Sequence, residues 1–333
     1  MKIAVLGAGG WGTTLAILLH ANGHEVNLWE FNADYARTLK AYRENFYYLP
    51  KIKIPTEINI TNDLEYAVQK RNLIVVATPT QFIRSSLSGL RNFNFQDCLL
   101  ISVSKGIEVK SLKLVSDILL DIFKKAKKEN VLSLSGPSHA EEVSRKIPTA
   151  VVCAGESDSS TKIIQKVFSN DYFRVYRNDD LVGTEVGGAL KNVIAIAAGI
   201  SDGAGFGDNT KAAIMTRGIN EIMRLGLQLK AKKETFFGLS GIGDLIVTCE
   251  SVHSRNRNVG VQIGKGKKLK TILKEMKMVA EGVATTKSAF ELSKKLNIEL
   301  PITHQVYNIL FNDKDPHKAT ELLMKRNLKE ENR

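Results

Sequence analysis

The chain has 333 residues, 43 % of them hydrophobic and 25 % charged, which is the balance of an ordinary globular protein. Its formal net charge of +12 indicates an anionic partner, but no RNA-recognition, zinc-finger or basic-heptad pattern accompanies the lysines, so we expect no nucleic acid. Apolar stretches stay shorter than the ~18–20 residues of a membrane span, and no secretion signal precedes the first predicted strand. We therefore expect a cytoplasmic protein without a membrane span. Three cysteines without CxxC spacing predict neither disulfides nor a metal site.

The first predicted strand ends in Gly7-x-Gly9-x-x-Gly12 and leads into a helical pattern. Gly7 permits a tight turn, Gly9 lets the backbone approach a pyrophosphate, and Gly12 lets the helix pack closely on the strand. The N-terminus of the helix offers free N–H groups to the anion. The pattern predicts a dinucleotide-binding turn; a glycine-rich turn without a ligand is the alternative.

An acidic residue, Glu30, ends the second strand-like run about 20 residues further on, which is the spacing of a carboxylate that contacts the adenosine ribose. A carboxylate there favours the 2′-hydroxyl of NAD over the 2′-phosphate of NADP. Arg37 and Arg43 lie close enough in the sequence to leave NADP open. We expect NAD or NADP as cofactor, with NAD favoured by Glu30.

Short apolar segments alternate with helical patterns through the first half of the chain. This alternation predicts an α/β fold with a Rossmann-type, doubly wound and largely parallel sheet. The predicted strands cover residues 2–7, 25–30, 58–61, 73–78, 98–104, 131–136, 149–155 and 173–177.

After about residue 180 helical periodicity dominates, over residues 181–200, 211–229 and 269–296. A chain of this length favours two domains. We therefore predict a dinucleotide-binding domain over residues 1–180 and an all-α, substrate-binding domain over residues 181–333.

Lys191 and Asn192 are embedded in an otherwise apolar helical run, and small residues lie three and four positions from the lysine. Such a face leaves room for a ligand beside the ammonium. Partial burial lowers a lysine pKa toward the range useful for proton transfer. The alternative is a lysine that snorkels out of a helix–helix seam.

Two loops of the first half carry further polar groups. Lys105 follows a predicted strand, and open α/β sheets bind ligands at the carboxyl ends of their strands. Gly136 and Ser138 follow another strand, where a helix N-terminus would offer N–H groups to an anion. We interpret the neighbouring His139 as a positional residue, because Lys191 already provides a group for proton transfer.

Two segments of the second half complete the set of polar groups. A glycine-rich turn over 238–244 presents Asp244, and Ser254, Arg255 and Asn256 bring a hydroxyl, a guanidinium and an amide together. This donor set suits phosphate and polyol oxygens. The alternative is a surface turn with ordinary helix capping.

These blocks together resemble the NAD(P)-dependent glycerol-3-phosphate dehydrogenases of the bacterial, soluble type, over nearly the whole chain. Several blocks in the right order are more specific than any one of them. The motifs that carry the resemblance are GAGGWGTTLA at 7–16, NFYYLP at 45–50, SKG at 104–106, GPSHA at 136–140, KN at 191–192, GIGD at 241–244, SRN at 254–256 and VAEG at 279–282.

The resemblance implies reversible hydride transfer between C2 of sn-glycerol 3-phosphate and C4 of the nicotinamide, which interconverts the alcohol and dihydroxyacetone phosphate. It implies a phosphorylated small-molecule substrate, an oxidoreductase that supplies glycerol 3-phosphate for glycerophospholipid synthesis, and a C-terminal domain like that of 6-phosphogluconate dehydrogenase. We also expect a homodimer, because the helical half has apolar faces that could pair two chains.

The resemblance also implies roles for individual residues. Lys191 resembles the general acid/base of the family, and Lys105 and Asp244 would surround the same catalytic centre. The implied substrate contacts are Lys105, Gly136, Ser138, Lys191, Asp244, Ser254, Arg255 and Asn256. The implied cofactor contacts are Gly7, Gly9, Gly10, Trp11, Gly12, Glu30, Phe31, Tyr48, Lys105, Ala140, Arg255, Val279 and Glu281.

One departure and two alternatives complete the prediction. Gly10 occupies a position that the family often fills with Ser, but the backbone donors of the turn remain, so we expect cofactor binding to survive. A related two-domain 2- or 3-hydroxy acid dehydrogenase, such as a ketopantoate reductase, is the alternative enzyme; a carboxylate substrate would have less need of Arg255 and Lys105. A non-enzymatic nucleotide sensor or nucleic-acid-binding protein is disfavoured by the pairing of Lys191 with Asp244.

Overall fold

The computed structural model describes residues 1–276, 278–328 and 330–331. Within these residues, strands and helices alternate up to residue 178, and only helices follow. The strands are β1 (Lys2–Leu6), β2 (Glu25–Trp29), β3 (Glu44–Asn45), β4 (Leu49–Lys53), β5 (Asn59–Thr61), β6 (Leu73–Val76), β7 (Leu99–Ser102), β8 (Val131–Ser135), β9 (Thr149–Ala154) and β10 (Phe173–Asn178).

The α-helices of the first half connect these strands, and those of the second half pack on one another. The first seven are α1 (Gly10–Ala21), α2 (Ala33–Tyr42), α3 (Leu64–Val68), α4 (Thr80–Leu87), α5 (Val115–Ile122), α6 (Ala140–Val143) and α7 (Asp158–Phe168). The others are α8 (Leu181–Gly203), α9 (Asp208–Gln228), α10 (Asp244–Glu250), α11 (Arg255–Gly264), α12 (Leu269–Glu275), α13 (Glu281–Lys295), α14 (Pro301–Phe311) and α15 (Pro316–Met324).

Eight strands form one sheet in the order β10-β9-β8-β7-β6-β1-β2-β5. All neighbours run parallel except β8 and β9, which are antiparallel. The predicted Rossmann-type sheet is thus confirmed. Its strand order reverses between β1 and β6, and the crevice at such a switch point is where doubly wound sheets bind ligands.

The central strands are buried on both faces because helices cover both sides of the sheet. Buried apolar side chains form three clusters: two in the sheet-containing half, and one in the helical half, around α8. Each cluster contains one of the three cysteines: Cys153 and Cys98 belong to the two clusters of the sheet half, and Cys249 belongs to the helical cluster. Burial raises the pKa of Cys98 and of Cys249 to about 12. Burial also raises the pKa of Cys153 above its ordinary value.

Helix α8 corrects the expectation that every apolar stretch is shorter than a membrane span. Its 23 residues are long and apolar enough to cross a bilayer, but 94 % of the apolar window is buried inside the protein. A helix that is apolar all round is also what the centre of a large helical core requires. No other described helix meets the same length and hydropathy criteria.

Three further details differ from the predictions. The hairpin β3–β4 was not predicted, since it is short and contains Pro50. The single helix predicted over 269–296 is two helices, α12 and α13, with a break between Glu275 and Glu281. Helix α9 begins at Asp208, three residues before the predicted start of its periodic pattern, after Gly207 in extended conformation.

Candidate active site

The glycine-rich turn after β1 has the geometry that a pyrophosphate requires. Gly7 adopts φ +116°, and a Cβ at Gly12 would lie 1.9 Å from the Gly7 carbonyl oxygen, so neither position accepts a larger residue. A Cβ at Gly9 would meet no atom within 4 Å, so its backbone is open to a ligand. Helix α1 begins at Gly10 without a side-chain cap, which leaves its first N–H groups free for an anion. The turn therefore fits a dinucleotide.

A cavity of about 640 Å³ extends from this turn to the helical half. Its size is in the range of small-molecule and cofactor sites. It is lined by the segments that follow β1, β2, β6, β7 and β8, and by parts of α8, α10, α11 and α13. Every residue predicted for the site lines this cavity except Gly136 and Asp244.

Those two residues lie behind the cavity wall and hold its lysines. The Lys105 ammonium donates to Asp244 Oδ2 at 2.7 Å and to the Gly136 carbonyl at 3.0 Å. The Lys191 ammonium donates to Asp244 Oδ1 and to Thr248 Oγ1, the latter at 2.7 Å. One carboxylate, only 1 % exposed, therefore holds both ammonium groups.

Burial and the neighbouring charges shift the pKa values of both Lys191 and Asp244. Burial lowers the pKa of Lys191 to about 8; Asp244 opposes the shift, and the neighbouring Lys105 charge adds to it. Burial alone would raise the pKa of Asp244, but the two ammonium groups outweigh it and hold that pKa below its ordinary value. Lys191 is thus a proton donor and acceptor poised near neutral pH, beside a carboxylate that stays ionised.

Two side-chain amides connect the cluster to α11. Asn192 donates to the Lys105 carbonyl at 3.1 Å, and its oxygen accepts from Asn256 Nδ2 at 2.9 Å. The Asn256 oxygen accepts in turn from the Gly282 N–H at 2.9 Å. The N-terminus of α11 is capped by the Ser254 side chain, which accepts from Arg257 N–H. The N-terminus of α11 is therefore fixed relative to Lys191.

The break between α12 and α13 places two groups at the cavity. Arg255 donates to the Val279 carbonyl at 3.2 Å, a group that a continuous helix would have used internally. The Glu281 carboxylate accepts from the Thr80 N–H at 2.7 Å and from the Lys105 N–H at 3.3 Å. Glu281 thus ties α13 to the loops after β6 and β7.

Glu30, the predicted ribose contact, lies at the end of the cavity beyond β2. Glu30 accepts from the Asn32 N–H at 2.9 Å, and burial raises the pKa of its carboxyl group. Two exposed aromatic rings, Phe31 directly after Glu30 and Phe82 on α4, also line the cavity. Arg37 pairs with Asp34 on the surface, and Arg43 donates to two backbone carbonyls, so neither guanidinium lines the cavity.

Comparison with known proteins identifies the family. Residues 2–161 match the family model described as NAD-dependent glycerol-3-phosphate dehydrogenase N-terminus, and residues 180–321 match the corresponding C-terminus. The chain belongs to this family. It is 49 % identical to glycerol-3-phosphate dehydrogenase [NAD(P)+] of Citrifermentans bemidjiense, over 99 % of this chain and 98 % of that one.

A relative from Fusobacterium nucleatum with the same name is 47 % identical over 99 % of this chain and 98 % of its own. The crystal structure of glycerol-3-phosphate dehydrogenase from Coxiella burnetii superposes with a TM-score of 0.93 at 34 % identity, covering 98 % of this chain and 99 % of that one. These matches confirm the resemblance and favour it over the alternative of a hydroxy acid dehydrogenase.

The prediction missed three groups that line the cavity. Thr248 binds the Lys191 ammonium, and it lies four residues after Asp244 on the same face of α10, so recognising that helix would have revealed it. Phe82 lies in the first turn of α4, just past the carboxyl end of β6. His253 lines the cavity just before the Ser254 cap.

The departure from the family at Gly10 also has a structural consequence. A Cβ there would lie 2.5 Å from the Tyr48 carbonyl oxygen, so the loop of the β3–β4 hairpin lies directly on the turn. A serine at this position would displace that loop.

Proposed function

We propose that this chain interconverts sn-glycerol 3-phosphate and dihydroxyacetone phosphate with a nicotinamide dinucleotide. The observation that carries the proposal is a single cavity that contains both a pyrophosphate-type glycine turn and a buried lysine with a pKa of about 8. The turn provides for the cofactor, and the lysine provides for the proton that accompanies hydride transfer.

Lys191 is assigned the proton transfer. In ketone reduction its ammonium donates a proton to the carbonyl oxygen at C2, and in alcohol oxidation the neutral amine accepts the hydroxyl proton. Asp244 and Thr248 support this role because they hold the ammonium at one position. Their oxygens leave one N–H of the ammonium for the substrate.

Lys105 is assigned to the same centre as a second cation. Its bonds to Asp244 and the Gly136 carbonyl fix it at the carboxyl end of β7. From there it stabilises the oxygen that carries developing charge during reduction. Gly136 and Asp244 are therefore proposed to act through the lysines rather than by direct contact with substrate.

The phosphate of the substrate is assigned to the N-terminus of α11. Ser254, Arg255 and Asn256 line the cavity there, and the first N–H groups of the helix favour an anion. Arg255 adds a guanidinium, which binds phosphate oxygens in a bidentate manner. Ser138 lines the same cavity and completes the proposed substrate contacts.

The remaining cavity residues would hold the dinucleotide. Gly7, Gly9 and Gly12 form the pyrophosphate turn, and Phe31 and Phe82 offer aromatic faces at the adenosine end. When bound, the nicotinamide supplies or accepts the hydride at C4. The further proposed contacts are Gly10, Trp11, Glu30, Tyr48, Lys105, Ala140, Arg255, Val279 and Glu281.

Cofactor choice is proposed to favour NAD. The Glu30 carboxylate at the end of β2 repels a 2′-phosphate and accepts from a 2′-hydroxyl. Arg37 and Arg43 were the two cations that could have attracted the 2′-phosphate of NADP. Neither lines the cavity, which supports the preference for NAD.

Four further expectations stay part of the proposal. We propose a domain boundary at residue 180, because β10 ends the sheet at Asn178 and α8 begins at Leu181. A homodimer and a cytoplasmic location are proposed as well; light scattering at micromolar concentration would test the dimer. sn-Glycerol 3-phosphate, the product of ketone reduction, has the chemistry of a phospholipid precursor, because its two hydroxyls can be acylated and its phosphate can carry a headgroup.

The decisive experiment measures reduction of dihydroxyacetone phosphate with NADH and NADPH in parallel, with ketopantoate as the substrate of the alternative enzyme. We expect turnover of dihydroxyacetone phosphate and none of ketopantoate. Turnover of ketopantoate alone would overturn the proposal.

A further inference from the structure

Helices α8 and α11 touch backbone to backbone. A Cβ at Gly260 would lie 2.2 Å from the Ile196 carbonyl oxygen, and one at Gly264 would lie 2.5 Å from the Ile200 carbonyl oxygen. From the other side, a Cβ at Gly199 would lie 2.0 Å from the Arg257 carbonyl oxygen. Side chains separate most packed helices to 8–10 Å, so a crossing without them is unusually close and unusually stiff.

The crossing is built from a matched pair of Gly-x-x-x-Gly repeats, 199–203 on α8 and 260–264 on α11. A Cβ at Gly203 would also collide with α11, at 2.2 Å from the Val261 carbonyl oxygen. The two helices run in the same direction, since Asn192 bonds Asn256, Ile196 meets Gly260 and Ile200 meets Gly264. Each step of four residues along α8 therefore matches a step of four along α11.

The two helices carry the two ends of the proposed substrate site. Lys191 lies one residue before Asn192 on α8, and Arg255 lies one residue before Asn256 at the start of α11. A partly buried ion pair adds a further tie, because Arg257 donates to Asp202 from Nε at 3.0 Å and from Nη2 at 2.6 Å. The separation between the proton-transfer group and the phosphate-binding end is thus set by the contact between these helices.

Resting on the proposed function, we propose that the glycine crossing of α8 and α11 fixes the distance between Lys191 and the phosphate-binding N-terminus of α11, and so selects a substrate whose phosphate ester lies on the carbon next to the reacting one. Only one carbon and the ester oxygen separate C2 of the substrate from its phosphorus, so the span from the C2 oxygen to the phosphate is short. A rigid crossing lets both ends bind at once, whereas a looser one binds either end alone. The glycines act as positioning residues, because none of them lines the cavity.

The test uses Gly260→Ala, with Gly264→Ala as a second variant one turn further from the site. Both substitutions push a Cβ into a backbone carbonyl that cannot rotate away. Gly218→Ala is the matched control: Gly218 is a buried helical glycine of α9 whose added Cβ would meet the Ile194 side chain at 2.6 Å, on α8 but not at α11. Circular dichroism and thermal unfolding establish which variants fold.

Four measured quantities distinguish damage to either end of the proposed substrate site from a change in the distance between the two ends. They are kcat/KM for dihydroxyacetone phosphate, kcat/KM for unphosphorylated dihydroxyacetone, the Kd of NADH and the inhibition constant of inorganic phosphate. We expect the first to fall roughly 10- to 100-fold in Gly260→Ala, which is the scale of a 1 Å misplacement, and less in Gly264→Ala. The other three should change less than about threefold, and the control should change none of the four beyond that.

An equal fall with both substrates would overturn the proposal, because the loss would then not depend on binding the two ends together. Unchanged selectivity in a folded Gly260→Ala variant would also overturn it; if that variant does not fold, the same criterion applies to Gly264→Ala. Failure of the wild-type protein to reduce dihydroxyacetone phosphate would instead refute the proposed function, so the two failures are distinguishable.

Discussion

At the scale of single residues, Lys191 shows how burial and charge oppose each other. Burial in the helical core disfavours its ammonium, and the Asp244 carboxylate restores it, so that the pKa settles at about 8. An exposed lysine would keep its proton at every physiological pH. The location in α8 therefore converts an ordinary lysine into a group that can exchange a proton during turnover.

This balance predicts opposite pH dependences for the two directions. Ketone reduction needs the protonated form of Lys191, so kcat/KM should fall as pH rises through about 8. Alcohol oxidation needs the neutral form, so kcat/KM should rise through the same pH. In Lys191→Ala, the change of kcat/KM with pH near 8, the limb of each profile, should disappear in both directions. The rate should fall by a factor on the order of 10² or more, while NADH still binds. Profiles with the same limb in the variant would refute the role.

Glu30 predicts the cofactor ratio. We expect NADH to be preferred over NADPH by about tenfold or more in kcat/KM, equivalent to about 1.4 kcal/mol, because the carboxylate repels the 2′-phosphate. Glu30→Gln should bring the ratio toward one, mainly by lowering KM for NADPH. Glu25→Gln is the control, since Glu25 lies at the opposite end of β2 and pairs with Arg71. A ratio unchanged by Glu30→Gln would contradict the prediction.

At the scale of elements, the start of α8 determines where Lys191 lies. The buried Asp180 carboxylate accepts from the Gly183 N–H and the Lys232 N–H, each at 2.8 Å, and from the Thr235 hydroxyl at 2.6 Å. One side chain thus caps α8 and fixes the turn that follows α9. A helix cap that also joins two other segments contributes more than a cap at the surface.

Asp180→Ala should therefore lower the free energy of unfolding by about 2 to 3 kcal/mol, because it removes the cap and leaves buried donors unpaired. Denaturant titration measures this loss. Asp179→Ala is the neighbouring control, because Asp179 makes an exposed ion pair with Lys232 and should change stability by less than about 1 kcal/mol. Equal losses in the two variants would refute the capping role.

Sequence patterns predicted the helices and strands whose position follows from burial of apolar residues, but not the features that depend on tertiary contacts. The inner strands of the sheet were predicted because strands covered on both faces read as continuous apolar runs, and the edge strand β10 was predicted although its residues alternate between buried and exposed. The break before α13 was not predicted, because apolar periodicity continues across it. The contacts at the start of α13 are tertiary: the Val279 carbonyl pairs with Arg255, and Glu281 reaches two backbone N–H groups of the sheet half.

The site followed the same division. Glycine spacing predicted the turn, and the isolated polarity of Lys191 in an apolar run predicted its burial. The partnership of Lys191 with Thr248 depended on a short helix, α10, that no periodic pattern predicts. Gly136 and Asp244 lie behind the cavity wall because they contact the side of the Lys105 ammonium that faces away from the cavity. Sequence patterns do not predict this arrangement, because it depends on tertiary packing.

At the scale of the whole molecule, the two halves meet across the cavity through α13. Glu281 accepts from two N–H groups of the sheet half, and Ser288 donates to the Ile107 carbonyl at 2.8 Å. The loop that carries Lys105 is therefore held from both sides. The proposed cofactor site and the proposed proton-transfer group are therefore joined by one set of hydrogen bonds.

Glu281→Ala should loosen this frame. We expect KM for NADH to rise and the thermal midpoint to fall by a few degrees, consistent with the loss of about 1 to 3 kcal/mol from two unpaired backbone donors in a chain of this size. Glu291→Ala is the control on the same helix, because Glu291 makes only an exposed pair with Lys294. A midpoint that falls with no change in KM would contradict a role at the cavity.

The distribution of the cysteines gives this protein a built-in chemical probe. Each of the three apolar clusters contains one buried thiol whose raised pKa keeps it unreactive while that cluster stays closed. A thiol reagent added to the native protein would therefore label a cysteine only when its own cluster opens. Mass spectrometry of the labelled sites would report separately on the helical half and the two clusters of the sheet half. Comparison of the three labelling rates with and without NADH would show which part of the molecule opens first.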